Sequence, residues 1–316
     1  MTKKIKALLL SLLLILAVGC SKTETAKEEE KPLKITLVLD EGGVNDQSFN
    51  QSAWEGALKL REECGVDISY IESKQESEYL QNVETAIDQE NDLVIAVGYK
   101  FTEAVKQLSE AYPSQKFALI DGTWEEMPSN VVSIMFSEED AGYSVGLVAS
   151  QMTSTNKVGF IGGFDIPSVS NFYKGFEKAI KEENADIEVL CQYANSFTDS
   201  AKGRAIAQQM ISQDIDIIFT AGGGVNNGAW EACTESNIKA IGVDMPSSHI
   251  APTTIITSAL KNVGTGLELT AKDLINGKFA GGEVKMFDLS NKGVGYEVTD
   301  LIPTDVVKYV EDKLNN

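Results

Sequence analysis

The sequence has little of what metal-dependent and nucleotide-hydrolysing enzymes require. Its single histidine, His249, has no His or Cys neighbour at a spacing suited to a zinc ion. Neither an HExxH motif nor a Walker A motif occurs in the 316 residues. The sequence therefore predicts no metal site and no bound cofactor, and it does not favour an enzyme.

Basic residues are also scarce. The chain carries 27 Lys and Arg residues against 47 Asp and Glu residues, which gives a formal net charge of -20 at pH 7. No cluster of Lys or Arg offers the basic face that a nucleic-acid backbone requires. This composition argues against nucleic acid as a partner and favours a small neutral or cationic ligand.

The chain contains four cysteines. Cys20 follows an N-terminal apolar segment, and Cys64, Cys191 and Cys233 belong to the remainder of the chain. Because an odd number argues against a disulfide framework and each lies within or beside an apolar pattern, we expect all three to be buried, unpaired residues.

The N-terminal segment has the pattern of an export signal. In residues 1–19, three lysines precede an apolar run that is shorter than the roughly 20 residues of a membrane-spanning helix. The stretch Ala17-Val18-Gly19-Cys20 resembles a bacterial lipobox, in which the cysteine thiol is lipidated. We therefore expect cleavage after residue 19 and a lipid on Cys20. Residues 20–32 would form a solvated tether on the extracytoplasmic face of the cell membrane.

Two halves of the chain repeat the same pattern. Asp92–Gly98 corresponds to Asp216–Gly222, and Lys116–Asp121 corresponds to Lys239–Asp244. These apolar runs are bounded by polar or glycine residues and are followed by helical stretches, which is typical of strands buried in a parallel sheet. The sequence thus predicts an α/β protein with two doubly wound parallel-sheet lobes and a cleft between them.

The predicted lobes are discontinuous along the chain, which would cross between them near Phe136, Ser258 and Glu283. The first lobe comprises residues 33–136 plus 258–282, and the second comprises residues 137–257 plus 283–316.

Asp121 and Asp244 occupy equivalent strand ends, so the duplication directs one carboxylate from each lobe into the cleft. Each of them could instead cap a following helix. A pair of carboxylates is also the arrangement of a glycoside hydrolase, in which an acid and a base flank the cleaved bond. The symmetry of the two residues favours ligand contact.

The glycine-rich stretch Gly222–Gly228 follows a strand, and Asp244 lies further along the chain, as in a dinucleotide-binding fingerprint. The match fails because Asn227 stands where the third glycine belongs. Glycines still allow a backbone to approach a ligand, and an aspartate at a strand end can accept hydrogen bonds from a ribose diol. These residues therefore predict recognition of a ribose without a pyrophosphate.

Several longer motifs resemble the basic membrane protein family of bacterial lipoproteins. This resemblance implies the type I periplasmic binding fold and the delivery of nucleosides to an ABC importer, although a few members take other ligands, including a flavin. The motifs are Gly42–Gln51, Ala118–Gly122, Gly162–Pro167, Ser196–Asp199, Ile241–Asp244 and Ser258–Lys261.

The resemblance also implies a role for individual residues. Phe49 and Phe197 would stack on the two faces of a base, and Asp121 would meet the edge of the base. The residues around the mouth of the first lobe would be Asp40, Asp46 and Ser48, and those holding the ribose would be Asp244, Lys261 and the backbone of Gly222 and Gly223.

The sequence as a whole predicts a monomeric, extracytoplasmic substrate-binding lipoprotein that passes a nucleoside, which we expect to be a purine nucleoside, to an ABC-transporter permease. Three alternatives remain open. The chain could be a nucleoside hydrolase or glycosidase that uses Asp121 and Asp244, a binder of another ligand such as a flavin, or a sensor or adhesin with the same fold.

Overall fold

A computed structural model describes residues 31–315 of the chain. The expected export signal, the lipidated Cys20 and most of the tether lie outside the described residues. Within the part that is described, no helix combines the length and the apolar character needed to cross a membrane.

The first lobe is built on a six-stranded parallel sheet in the order β11-β5-β4-β3-β1-β2. Five of its strands come from the N-terminal half and one from near the C-terminus. They are β1 (Lys34–Leu39), β2 (Asp67–Glu72), β3 (Leu93–Val97), β4 (Phe117–Ile120), β5 (Val131–Phe136) and β11 (Val284–Phe287).

The second lobe repeats this arrangement in the order β12-β10-β9-β8-β6-β7, with only the edge strand β12 antiparallel to its neighbour β10 within the described sheet. The strands are β6 (Lys157–Gly162), β7 (Glu188–Tyr193), β8 (Ile217–Ala221), β9 (Lys239–Asp244), β10 (Ile255–Lys261) and β12 (Val294–Tyr296).

Helices cover the faces of both sheets. Some of their starts are visible in the sequence, since Pro167 occupies the first turn of one helix and the Asp199 carboxylate caps another by accepting from Lys202 N. The helices are α1 (Phe49–Cys64), α2 (Tyr79–Asp88), α3 (Thr102–Ala111), α4 (Glu138–Met152), α5 (Pro167–Glu183), α6 (Ser200–Ile211), α7 (Val225–Glu235), α8 (Val263–Ile275) and α9 (Thr304–Leu314).

The central strands owe their position to continuous apolar sequence. Every residue of β3 and of β8 is buried, as expected for strands that have helices on both faces. The edge strand β2 instead exposes several of its side chains. The predicted architecture of two doubly wound sheets is therefore confirmed.

Helices α4 and α5 pack closely because each helix places a glycine against the backbone of the other. A Cβ atom on Gly142 would lie 2.1 Å from the Phe172 carbonyl oxygen, and one on Gly175 would lie 1.9 Å from the Glu139 carbonyl oxygen. This contact holds the start of α4 and the first turns of α5 beside the cleft, where both helices contribute side chains to the site.

The chain passes between the lobes after Phe136, after Lys261, and between β11 and β12. The crossings predicted near Ser258 and Glu283 therefore come too early. Strand β10 continues to Lys261 in the second sheet, and β11 pairs with β5 in the first. The short strands β11 and β12 and the helix α9 were not predicted, because segments of this length and polarity are hard to tell from loops.

The cysteines differ in their surroundings. Cys233 is buried, whereas Cys191 is partly exposed and Cys64 is exposed at the end of α1. All three are free thiols. The expected burial is confirmed for Cys233 only, because Cys191 is partly exposed and the side chain of Cys64 falls on the outer face of the last helical turn.

Candidate functional site

A cavity of about 590 Å³, counting the space at its mouth, lies between the carboxyl ends of the two parallel sheets. This is where open α/β sheets place their ligands. All of the predicted ligand-binding residues except Ser48 line it, and they are Asp40, Asp46, Phe49, Asp121, Phe197, Gly222, Gly223, Asp244 and Lys261.

Asp121 directly follows β4 and Asp244 is the last residue of β9, and the two residues have matching backbone geometry. Their φ angles are 66° and 64°, in the left-handed region that is costly for residues with a side chain. Neither residue caps a helix, because each is followed by a loop and another strand. The helix-cap alternative is therefore wrong, and the duplicated strand ends turn both carboxylates toward the cavity.

Lys261 lies at the end of β10 with 1% of its surface exposed. Its ammonium donates to Asp121 Oδ2 at 2.6 Å and to Glu138 Oε1 at 2.8 Å. Burial alone would lower the pKa of Lys261, but the nearby carboxylates of Asp121 and Glu138 outweigh burial and hold this pKa above its ordinary value. The ammonium is thus a permanent cation shared by one carboxylate from each lobe.

Glu138 is a residue of this site that the sequence did not reveal. It is the first residue of α4 and is 2% exposed. An acidic residue at the start of a helix is ordinarily explained by the helix dipole, so its type and position carried no signal for a buried ion pair. Lys261, predicted to contact a ribose, lines the cavity and is hydrogen-bonded to Asp121 and Glu138.

A second contact joins the lobes at Asp244, whose Oδ2 accepts a hydrogen bond from Ser48 Oγ. Ser48 precedes α1 in the first lobe. Burial raises the pKa of Asp244 to about 7, although the Lys261 charge and the Ser48 hydroxyl oppose this shift. This carboxylate therefore titrates in the neutral range and can accept further hydrogen bonds once it is ionised.

Asp46 performs a local structural task at the cavity wall. Its carboxylate accepts from the backbone nitrogens of Ser48, Asn50 and Gln51 at 2.9 to 3.0 Å, which satisfies free N–H groups at the start of α1. This network orients the first turn of the helix and hence Phe49.

Asp40 follows β1 and accepts from Gly42 N at 2.9 Å and from Asn50 Nδ2 at 2.7 Å. Burial raises the pKa of Asp40 to about 7, and the hydrogen bond from Asn50 opposes this shift. Asn50 also lines the cavity, and its buried Oδ1 has no hydrogen-bond partner within residues 31–315. No feature of the sequence marks Asn50 as a cavity residue, because its position at the cavity depends on the fold of the loop before α1.

Phe49 and Phe197 come from different lobes and are both half-buried. Phe197 lies in the loop between β7 and α6, and its ring packs against Gly163. A Cβ atom on Gly163 would lie 2.3 Å from the Phe197 ring. The Phe164 ring packs edge-on against the Phe197 ring, with centroids 5.0 Å apart and ring planes at 67°. The Phe49 and Phe197 rings present apolar surface at a cavity that is also lined by the carboxylates of Asp40, Asp46, Asp121 and Asp244.

The backbone at Gly222 and Gly223 reaches the cavity as predicted by their position after β8. Gly223 has a φ angle of 57°, which favours glycine. The N–H of Gly222 already donates to Asn226 Oδ1 at 2.9 Å. The main contribution of these glycines is therefore to let a ligand approach the backbone closely, and not to supply free N–H donors.

Two features bear on catalysis. Residues 142–146 match the GxSxG pattern of hydrolase nucleophiles, but Ser144 lies inside α4, where its hydroxyl donates to the Asp140 carbonyl oxygen at 2.8 Å. A nucleophile elbow requires a strand-to-helix turn, so this match is accidental. Among residues 31–315, no group of three or more potential ligands could hold a metal ion.

Comparison with known proteins agrees with this geometry. A family model described as Bmp, ABC transporter substrate-binding protein PnrA-like, matches residues 34–316. Basic membrane protein A of Borreliella afzelii is 36% identical over 284 residues, which cover 88% of this chain and 87% of that protein. An ABC transporter nucleoside-binding protein of Lactococcus lactis subsp. cremoris is 32% identical over 314 residues, covering 92% and 89% of the two chains.

Among solved structures, an ABC transporter solute-binding protein from Aeropyrum pernix superposes with a TM-score of 0.81 and 28% identity. The alignment covers 90% of this chain and 86% of that one. Two lobes with largely parallel sheets, around a cavity lined by carboxylates and aromatic rings, define a substrate-binding protein of the type I periplasmic binding fold. This chain belongs to the Bmp family of ABC transporter substrate-binding proteins.

This membership has direct consequences. The protein is a substrate-binding protein and not an enzyme, so the hydrolase alternative is set aside. It acts outside the cytoplasm, and its partners are a small-molecule ligand and a transporter permease.

Proposed function

We propose that this protein binds a nucleoside, with a preference for purines, and delivers it to an ABC importer. The observation that carries the proposal is the pairing of half-buried Phe49 and Phe197, one from each lobe, at a cavity lined by buried carboxylates. Aromatic rings bind any base through its π face, and carboxylates accept hydrogen bonds from ribose hydroxyls and base N–H groups.

Charge supports an unphosphorylated ligand. Asp40, Asp46, Asp121 and Asp244 line the cavity. Both lysines that line it are already paired, Lys261 with two carboxylates and Lys100 with Glu41. A phosphate would meet excess negative charge in a poorly hydrated space, which is unfavourable. A neutral nucleoside instead carries ribose hydroxyls and base N–H groups, which can donate hydrogen bonds to the buried carboxylates.

In this proposal the base stacks between Phe49 and Phe197, and Asp121 receives a hydrogen bond from the edge of the base. Asp244 accepts from the ribose hydroxyls beside the backbone of Gly222. Lys261 acts by holding Asp121 in place and by balancing the charge of the cavity floor.

Replacing Phe197 with Ala is expected to weaken the binding of every nucleoside by a similar amount, about 1 to 3 kcal/mol, because stacking reads a π face and not a hydrogen-bond pattern. Isothermal calorimetry with adenosine, guanosine and uridine measures this. Phe279→Ala, which removes a ring outside the cavity, is the control. Unchanged affinities in the Phe197 variant, or a loss confined to one base, would contradict the stacking role.

Native mass spectrometry of the purified protein tests the ligand class. We expect retained ligand of nucleoside mass, which is lost from the Phe197→Ala protein. A retained flavin would contradict the proposal, even though a flavin ring could also stack on phenylalanine.

We further propose that Cys20 anchors the protein to the membrane. Acyl chains contribute about 0.8 kcal/mol for each buried CH₂ group, so two or three chains hold a protein at a membrane permanently. Cys20→Ser is expected to release the mature protein into the soluble fraction, whereas Cys64→Ser should leave it membrane-bound. Equal membrane fractions for wild type and Cys20→Ser would rule out lipidation at this residue.

A further inference from the structure

A lysine from the first lobe contacts aromatic rings of the second lobe at the mouth of the cavity. Lys100 lies in the short turn Tyr99–Phe101 after β3. Its Nζ is 3.8 Å from the centroid of the Phe164 ring and 5.4 Å from that of Phe197. The first distance is well within the range of a cation–π interaction.

The ammonium is held in place from its own lobe. It donates to Glu41 Oε1 at 2.5 Å, and the side chains of Lys100 and Glu41 are only 14% and 17% exposed. The other oxygen of Glu41 accepts a hydrogen bond from the Tyr79 hydroxyl, and the Tyr79 ring stacks on Phe101 at 4.2 Å. Lys100 is therefore positioned by the first lobe in a partly dehydrated environment, where cation–π contacts are stronger.

The ring that Lys100 contacts supports the proposed stacking residue. Phe164 packs its edge against Phe197, and both side chains belong to loops of the second lobe. The contact between Lys100 and Phe164 spans the mouth, so it can exist only while the two lobes are close together. The contact therefore stabilises the closed arrangement of the lobes and the position of the Phe197 ring. It does not contribute to the folding of either lobe alone.

We propose that Lys100 is a positioning residue that clasps the two lobes at the cavity mouth through Phe164, slowing ligand release and fixing the Phe197 ring. This inference rests on the proposed nucleoside-binding function for its ligand, although the clasp itself concerns closure. It assigns to Lys100 and Phe164 a role in ligand retention that is separate from the proposed stacking and hydrogen bonding between the protein and its ligand.

A double-mutant cycle tests the clasp. Lys100→Met and Phe164→Leu should each raise the rate constant for release of guanosine about three- to thirtyfold, and the double variant should release no faster than the faster single variant. Lys100→Arg should retain slow release, because a guanidinium also binds aromatic faces. Lys106→Met, at an exposed lysine of α3, is the matched control. Stopped-flow fluorescence measures the rates.

Small-angle X-ray scattering of the protein without added ligand separates the clasp from the ligand assignment. Both single variants should shift the particle toward a larger radius of gyration, and Lys100→Arg should not. If no nucleoside binds but this shift occurs, the proposed function fails while the clasp stands. Multiplicative effects of the two substitutions on release, or a scattering profile that Lys100→Met leaves unchanged, would overturn the clasp.

Discussion

Replacing Lys261 with Met is expected to lower the free energy of unfolding by about 3 to 5 kcal/mol near pH 8, because breaking a buried ion pair leaves uncompensated charge. The ammonium of Lys261 is buried and donates to the carboxylates of Asp121 and Glu138. Met fills a similar volume but supplies neither charge nor donors. Urea denaturation at several pH values measures the loss.

The pH dependence identifies the cause of the loss. In the Lys261→Met protein, burial without a cation would raise the pKa of Asp121 and Glu138 above the ordinary value of about 4 that they have in the unfolded chain. Between these values the folded state binds more protons than the unfolded state, so stability rises as the pH falls. We therefore expect the deficit to shrink between pH 8 and pH 5.

Two control proteins make this result specific. Adding Asp121→Asn and Glu138→Gln to Lys261→Met should restore much of the stability and reduce the pH dependence, since neither carboxylate that pairs with Lys261 is then left charged. Lys59→Met removes an exposed lysine from its ion pair with Glu268, which keeps Lys272 as a partner, and should change stability little. A Lys261→Met protein as stable as wild type at pH 8 would show that the buried pairs contribute nothing.

The sequence predicted those parts of the fold that depend on local pattern. The apolar runs of β3 and β8, interrupted only by Thr220 in β8, predict buried strands because strands of a parallel sheet with helices on both faces read as nearly continuous apolar sequence. The duplication located Asp121 and Asp244 at equivalent strand ends before any contact was known. The roles assigned to Phe49 and Phe197 came from the resemblance to a family, and they remain predictions.

The residues that escaped prediction are those whose partners are distant in sequence. Lys100 meets Phe164 only because the two lobes face each other, and Glu138 meets Lys261 only because the fold of the second lobe joins residues 123 positions apart. Neither residue type nor local spacing distinguishes them from ordinary surface charges. Asn50 likewise becomes a cavity residue only once the loop before α1 has folded around Asp46.

The last expected result concerns the ribose and the ionisation of Asp244. Because burial raises the pKa of this carboxyl to about 7, it is largely protonated at pH 6 and ionised at pH 8. An ionised carboxylate accepts from a ribose diol more strongly than a protonated one. The ratio of affinities for adenosine and adenine should therefore fall as the pH decreases through 7, by up to tenfold for each pH unit.

Asp244→Asn should lower the adenosine affinity at pH 8 by about 10- to 100-fold, as expected for the loss of hydrogen bonds to a charged group, and should make the adenosine-to-adenine ratio independent of pH. Asp214→Asn, which alters an exposed carboxylate of the same lobe, is the control. The ratio isolates the ribose contact because Asp40, whose pKa is also raised to about 7, affects both ligands if it faces the base. Should the Asp244→Asn protein keep the wild-type ratio and its pH dependence, the ribose contact must be assigned to another residue, whereas stacking between the two phenylalanines would be unaffected.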